Sequence, residues 1–147
     1  MIEPEKTSVR GVCVKDGNIL LIRCVTSEGV ENPIHYVFPG GKVQDDESVA
    51  DALVREVEKD TSIIVQTGKL FATLPKNPDD IEEQYYLCAH ITGTPELKDE
   101  EKAKLNKLKK KDKFHTYTPM WVSISELENI ILLPEGIKEL ILRKFSI

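Results

Sequence analysis

The stretch that decides the fold runs from His35 to Ile63, HYVFPGGKVQDDESVADALVREVEKDTSI. It opens as a short aromatic strand, His35 to Phe38, which Pro39-Gly40-Gly41 stops. From Ser48 the pattern turns helical: Val49, Ala50, Leu53, Val54 and Val57 form one apolar stripe. Ser48 with Asp51 three residues on is a capping-box variant that marks the helix start. At about 100° per residue, Glu56 and Asp60 leave the same side of this helix one turn apart, at its margin with the apolar stripe. Two partly desolvated carboxylates so placed repel each other unless a cation intervenes. A hard divalent ion with oxygen ligands satisfies them, and Mg²⁺ suits such a site when phosphates complete its shell. The Gly40-Gly41 loop lets the backbone come close, so that a carbonyl can face the same ion. Glu47 and Arg55, of opposite charge, flank the loop–helix junction and are placed to tie the two together. Lys59 stands beside the acids and breaks the pattern.

Around this centre, SVRGVCV (8–14) and NILLIRCV (18–25) read as strands joined by the turn KDGN. Beyond the helix, SIIVQTGKLFATL (62–74) and EQYYLCAHITG (83–93) read as longer strands with PKNPDD between them, and MWVSI (120–124) as another. SELENI (125–130) predicts a short helix and PEGIKELILRKF (134–145) a terminal helix with Pro134 near its first turn. The order β-β-β-α-β-β-β-α implies an α+β sandwich, a mixed β-sheet with helices on its faces. With 147 residues, 40% hydrophobic and 31% charged, residues 1–147 are expected to form a single globular domain.

The net charge of −5 argues against non-specific nucleic-acid binding, so no stable nucleic-acid complex is expected. No apolar run approaches the roughly 20 residues that span a bilayer. The polar, acidic start MIEPEKTSVR reads as neither a signal nor a transit peptide. Cys13, Cys24 and Cys88 lie in apolar stretches without ligand-like spacing, which predicts reduced core thiols and a cytoplasmic protein. The segment 97–113 carries eight lysines and four acids. It reads as a solvated loop or surface helix in preference to a polyanion-binding arm, since acids interrupt the run and no aromatic lies within it.

Gly41, five residues, Glu47, seven residues, then Arg55-Glu56-Val57, with an acid at Asp60 and an aliphatic at Ile63, resembles the Nudix box. The lead-in VFPGGK, the earlier ILLIR and the later MWVSISEL resemble the surroundings of that box in Nudix hydrolases. The resemblance implies an α/β/α sandwich and hydrolysis of a pyrophosphate linkage in a nucleoside diphosphate joined to another group, X, with Mg²⁺ or Mn²⁺. It makes Glu56 the principal metal ligand and an aid to deprotonating the attacking water, with Asp60 and the Gly40 carbonyl on the same ion. Arg55 and Glu47 become the supporting salt bridge, and Arg23, at the end of the second strand, a contact for substrate phosphate or base. The expected partner is a small nucleoside diphosphate derivative, and the resemblance leaves room for a homodimer.

Two positions depart from the family pattern: Lys59 where it has glutamate, and Ser62 where it has glycine. Serine in the left-handed conformation at a helix end costs about 1 kcal/mol, or else the helix end is remodelled. Lys59 turns a cluster of charge −3 into one of −1, which weakens the field for Mg²⁺ and disfavours further ions. Three readings follow. The preferred one is an active pyrophosphohydrolase running on fewer ions, its shell completed by Glu82, Glu83 or an acid from Asp99 to Glu101. The second is a nucleotide-binding or sensing module in which Lys59 contacts the ligand phosphate. The third is a merely structural box. For base or X recognition the candidates are Tyr36, Phe38, Tyr85, Tyr86, Phe114, Tyr117 and Trp121, most of them expected in the core.

Overall fold

The computed structural model describes residues 7–25, 34–75, 82–98 and 116–145. Among them the strands are β1 (Ser8–Lys15), β2 (Asn18–Val25), β3 (Ile34–Val37), β4 (Gly40–Lys42), β5 (Ile64–Pro75), β6 (Glu82–Thr92) and β7 (Thr116–Ser123). Helix α1 (Val49–Thr61) follows β4; a 3-10 helix (Ile124–Asn129) and α2 (Ile137–Phe145) follow β7. The β1–β2 hairpin closes at Asp16-Gly17, with φ of 52° and 78°. Two central residues at positive φ match the right-handed twist of the strands they join.

β1 is the centre of the sheet. Ser8–Arg10 pair antiparallel with β4, Val14 and Lys15 with β2, and Ser8–Cys13 run parallel to β6. β5 lies antiparallel to β6, while β2 carries both β3 and β7. One parallel pair among antiparallel ones makes the sheet mixed, as expected. Alternate side chains then feed two cores. Val9, Cys13, Leu20 and Cys88 meet Ala52, Leu53 and Val57 of α1 on one face. Val12, Ile19, Leu21 and Tyr85 meet Leu127, Ile137 and Ile141 on the other. The fold is an α+β sandwich with α1 and α2 on opposite faces.

Several expectations are corrected in detail. Gly40–Lys42 is a strand rather than a loop, because Gly40 allows it to lie close against β1. A Cβ on Gly40 would stand 2.0 Å from the Val9 carbonyl oxygen. SELENI forms the expected short helix, of 3-10 type, over Ile124–Asn129. α2 starts at Ile137, later than the span 134–145 read from the sequence, and the carbonyl of Pro134 just ahead of it accepts from Ile137 N at 3.3 Å. The apolar stripe of α1 is rotated from the one read in the sequence: Ala50 is exposed, whereas Ala52, Leu53, Glu56, Val57 and Thr61 are buried. Glu56 therefore lies on the buried face, and only its carboxylate reaches the edge.

The start of α1 matches the sequence reading, and its end takes the first of the two alternatives left open there. Ser48 Oγ accepts from Asp51 N at 3.0 Å. Ser62 keeps the left-handed conformation (φ 66°, ψ 14°), and its N–H bonds the Glu58 carbonyl. The serine offsets part of its strain, since its Oγ donates to the Glu96 carbonyl at 2.7 Å. The three cysteines are free and buried. Burial pushes the thiols of Cys13 and Cys24 up to about 11 and that of Cys88 up to about 12, so they stay protonated and inert. Among the described residues no helix is long and apolar enough to cross a membrane. Most of the Lys-rich segment, with Asp99 to Glu101 and Phe114, lies outside the described residues.

Candidate active site

The loop–helix junction is held by one guanidinium. Arg55 Nε donates to Glu47 Oε2 at 2.7 Å and Nη2 to Glu47 Oε1 at 3.0 Å, a bidentate pair. Nη2 also reaches the Lys42 carbonyl at 3.2 Å. This Arg55 pairing holds the Glu47 carboxyl down at about 2, so it stays charged throughout the neutral range. The same guanidinium does something the sequence did not reveal: Nη1 donates to Glu56 Oε1 at 2.7 Å. Arg55 thus orients the first acid as well as tying loop to helix.

Glu56 is only 7% exposed, and its carboxylate lies directly over Gly41. A Cβ there would meet the Glu56 carboxyl carbon at 2.5 Å, so the second glycine of the pair is required by close approach. Lys59 Nζ stands 3.3 Å from Glu56 Oε2. Asp60 Oδ2 accepts from Gly40 N at 3.1 Å, which docks the end of α1 onto β4. Burial pushes the Asp60 carboxyl up to about 6; the Gly40 N–H opposes this, and the charge of Glu56 adds to it. β4 and α1 therefore bring Gly40, Gly41, Glu47, Arg55, Glu56, Lys59 and Asp60 together.

Within this group, Glu56 and Asp60 are the carboxylates that could hold a divalent ion. Asp60 is a partly buried acid whose ionisation is opposed by its surroundings, which a divalent cation relieves. No set of three or more Asp, Glu, His or Cys side chains converges among the described residues, so such an ion would draw further ligands from backbone, water or substrate.

Other candidates fall elsewhere. Arg23 lies opposite Tyr36 and Thr118 in the ladders of β2, and its side chain makes no hydrogen bond or ion pair with a described residue. Glu82 is exposed. Glu83 is 7% exposed, with both oxygens engaged: Oε2 accepts from Arg10 Nε at 2.8 Å and Ser8 Oγ at 3.0 Å, Oε1 from Tyr85 OH at 3.1 Å. Burial pushes its carboxyl up, but these donors, Arg10 foremost, outweigh it and hold the carboxyl below the usual range. Arg10 Nη1 also donates to the Phe38 carbonyl at 3.0 Å. Sequence reading missed Arg10, although a charged residue inside the apolar strand SVRGVCV was a signal. A cleft of about 330 Å³ is lined by Arg10, Phe38, Glu83, Tyr85 and Pro134, among others. The Phe38 and Tyr85 rings meet edge to face at 5.5 Å beneath it. Trp121 packs on the α1 core and against His90, and Tyr86 on the same core, whereas Tyr117 is 36% exposed.

Comparison with known proteins bears on the family and the fold. No curated protein sequence matches the chain. Among solved structures, the chain is similar to the ORF135 protein of E. coli (TM-score 0.62, 23% identity, 96% of this chain and 92% of that one). It is also similar to MutT from the fish pathogen Aliivibrio salmonicida and Vibrio cholerae (TM-score 0.67, 20% identity, 96% and 98%). An ADP-ribose pyrophosphatase from Streptococcus suis superposes as well (TM-score 0.63, 20% identity, 99% and 94%). The family profile described as NUDIX domain matches residues 5–143. With nearly the whole chain inside that match and the box residues gathered at one helix–strand junction, the chain belongs to the Nudix family.

Proposed function

We propose that this Nudix pyrophosphohydrolase cleaves the pyrophosphate linkage of a nucleoside diphosphate joined to a group X, using one Mg²⁺ or Mn²⁺ ion. The observation that carries the reading is the convergence of Glu56 and Asp60 on the Gly40-Gly41 strand, with Arg55 orienting Glu56. Glu56, Asp60 and the Gly40 carbonyl would hold the ion. Once bound, the ion neutralises charge building on the leaving phosphate and makes a water more acidic.

The chain's own residues supply the rest. Arg55 and Glu47 hold the acids in register with the strand, because a site loosened by about 1 Å loses much of its effect. The Glu56 carboxylate, placed at the edge of the core, takes the proton of the attacking water. Oxygen from that water joins one phosphorus, the bridging oxygen leaves with the other, and the products are a nucleoside monophosphate and X-phosphate. Lys59 is the cationic side chain that this junction offers to substrate, whereas Arg23, on β2 outside it, is offered only by the family resemblance. The cleft above Phe38 and Tyr85 is lined by Arg10 of β1, the ladder partner of Gly40, and is the proposed seat of the organic part of the substrate.

The test is a panel of nucleoside triphosphates, ADP-ribose, nucleotide sugars and dinucleoside polyphosphates with Mg²⁺ or Mn²⁺. At least one is expected to be cleaved, EDTA to stop the reaction, and Glu56→Gln to lower turnover about 10²-fold while the protein stays folded. The Lys59–Glu56 ion pair favours a second reading, a nucleotide-sensing module. It prevails if nothing is cleaved while a ligand raises the melting temperature without metal.

A further inference from the structure

Two cations share one carboxylate near the end of α1. Arg55 takes Glu56 Oε1 at 2.7 Å, and Lys59 takes Oε2 at 3.3 Å. They are not equivalent. Arg55 is locked by its bonds to Glu47 and the Lys42 carbonyl, so it cannot leave without undoing the loop–helix junction. Lys59 is 43% exposed, makes the longer contact, and pairs with Glu56 alone among the described residues. Its ammonium is a compact point charge with three donors on a flexible stem.

We propose that Lys59 is a resident cation of this site. In the ion-free protein its ammonium holds Glu56 Oε2; a divalent ion displaces it; the freed ammonium then binds a phosphate oxygen of the nucleotide. This deepens the hydrolase reading and rests on it. The charges argue for it. With every group ionised, Glu47, Arg55, Glu56, Lys59 and Asp60 sum to −1, enough to attract one divalent ion and too little to hold several. A partly exposed ion pair shifts an equilibrium only a few-fold, so Lys59 gives way to the ion without preventing its entry. An ammonium left a few ångströms from a divalent ion repels it, and a phosphate between the two relieves that repulsion. The site then keeps its carboxylate shaped while empty and ties metal binding to nucleotide binding.

Mn²⁺ titration calorimetry on the full chain tests this, comparing wild type, Lys59→Met and Lys59→Glu, with circular dichroism as the folding control. Wild type is expected to bind one Mn²⁺. Lys59→Met should bind one Mn²⁺ about 3–10-fold more tightly, and Lys59→Glu should take up at least one more ion. At saturating Mn²⁺, a methylene-bridged nucleoside diphosphate should bind Lys59→Met about 3–10-fold more weakly than wild type, with Lys59→Arg restoring most of the loss. Unchanged Mn²⁺ affinity in Lys59→Met, with wild type still binding one ion, overturns the proposal and leaves the hydrolase reading standing. Tighter Mn²⁺ with unchanged nucleotide affinity overturns the transfer to phosphate. If neither wild type nor Lys59→Met binds Mn²⁺, the metal-dependent hydrolase reading itself falls.

Discussion

Asp60 sits under opposing demands. Burial and the Glu56 charge lift its carboxyl from 3.8 to about 6, so the folded chain holds that proton more tightly than the unfolded chain does. Stability contributed by the protonated form is complete below pH 3.8 and is lost as pH rises through 6. The metal binding proposed for Asp60 has the opposite sign, because a ligand must be ionised. Apparent Mn²⁺ affinity is therefore expected to level off above pH 6 and to fall by up to about tenfold per unit below it. Asp60→Asn separates the two effects. In EDTA at pH 8 it should stabilise the protein by about 1–3 kcal/mol, a gain that fades towards pH 4. Over the same range it should weaken Mn²⁺ binding. Thermal melts and calorimetry across pH check both signs; a variant less stable than wild type in EDTA at pH 8 would mean that Asp60 is not strained by its burial.

At the scale of elements, the site is the contact of one strand with one helix. β4 is three residues long, two of them glycine, and on propensity alone would not be a strand. It forms because β1 offers it a partner and because glycine permits the close approach. Gly41 shows how tightly the two elements meet. Its φ is ordinary, so alanine adds no backbone strain, but the new methyl must displace a Glu56 carboxylate pinned by Arg55 and Lys59. Gly41→Ala is expected to lose about 1–2 kcal/mol of stability and at least about tenfold in turnover. Denaturant melts beside steady-state kinetics distinguish this from simple unfolding. A variant with full activity would show that the Glu56 position seen here is not the working one.

Across the whole molecule, Arg10 and Glu83 join β1, β6 and the strand-end carbonyl of Phe38 beneath the cleft. A charge pair that is mostly desolvated is weak evidence of net stabilisation, yet breaking it leaves one charge buried without its partner. Arg10→Met is therefore expected to cost about 3–5 kcal/mol, and Arg10→Met with Glu83→Gln distinctly less. Equal losses in the single and double variants, measured by urea melts, would show that the pair is not coupled. The Glu83 contribution should also have a pH signature. Since its carboxyl is held below the usual range, the stability it adds is present above pH 4.5 and is lost as pH falls below that.

Sequence by itself determined the strands of the first hairpin, the start of α1, and the set of charged residues at the box. Each depends on local chemistry: an Asp-Gly turn at Asp16-Gly17, a Ser48 cap, a helical period of apolar side chains. Tertiary structure alone decided which way those charges point. Pairing of β1 with β6 brings together residues some 75 positions apart, and nothing local announces that Arg10 will meet Glu83. Seating α1 against the sheet turned the helix so that Ala50 faces solvent and Glu56 is buried, a rotation set by which side chains fill the core. Lys59 is the clearest case. Its identity marked a departure, but its place on Glu56 Oε2 follows from Arg55 holding the other oxygen and Gly41 closing the space behind, contacts that exist only once strand and helix have packed.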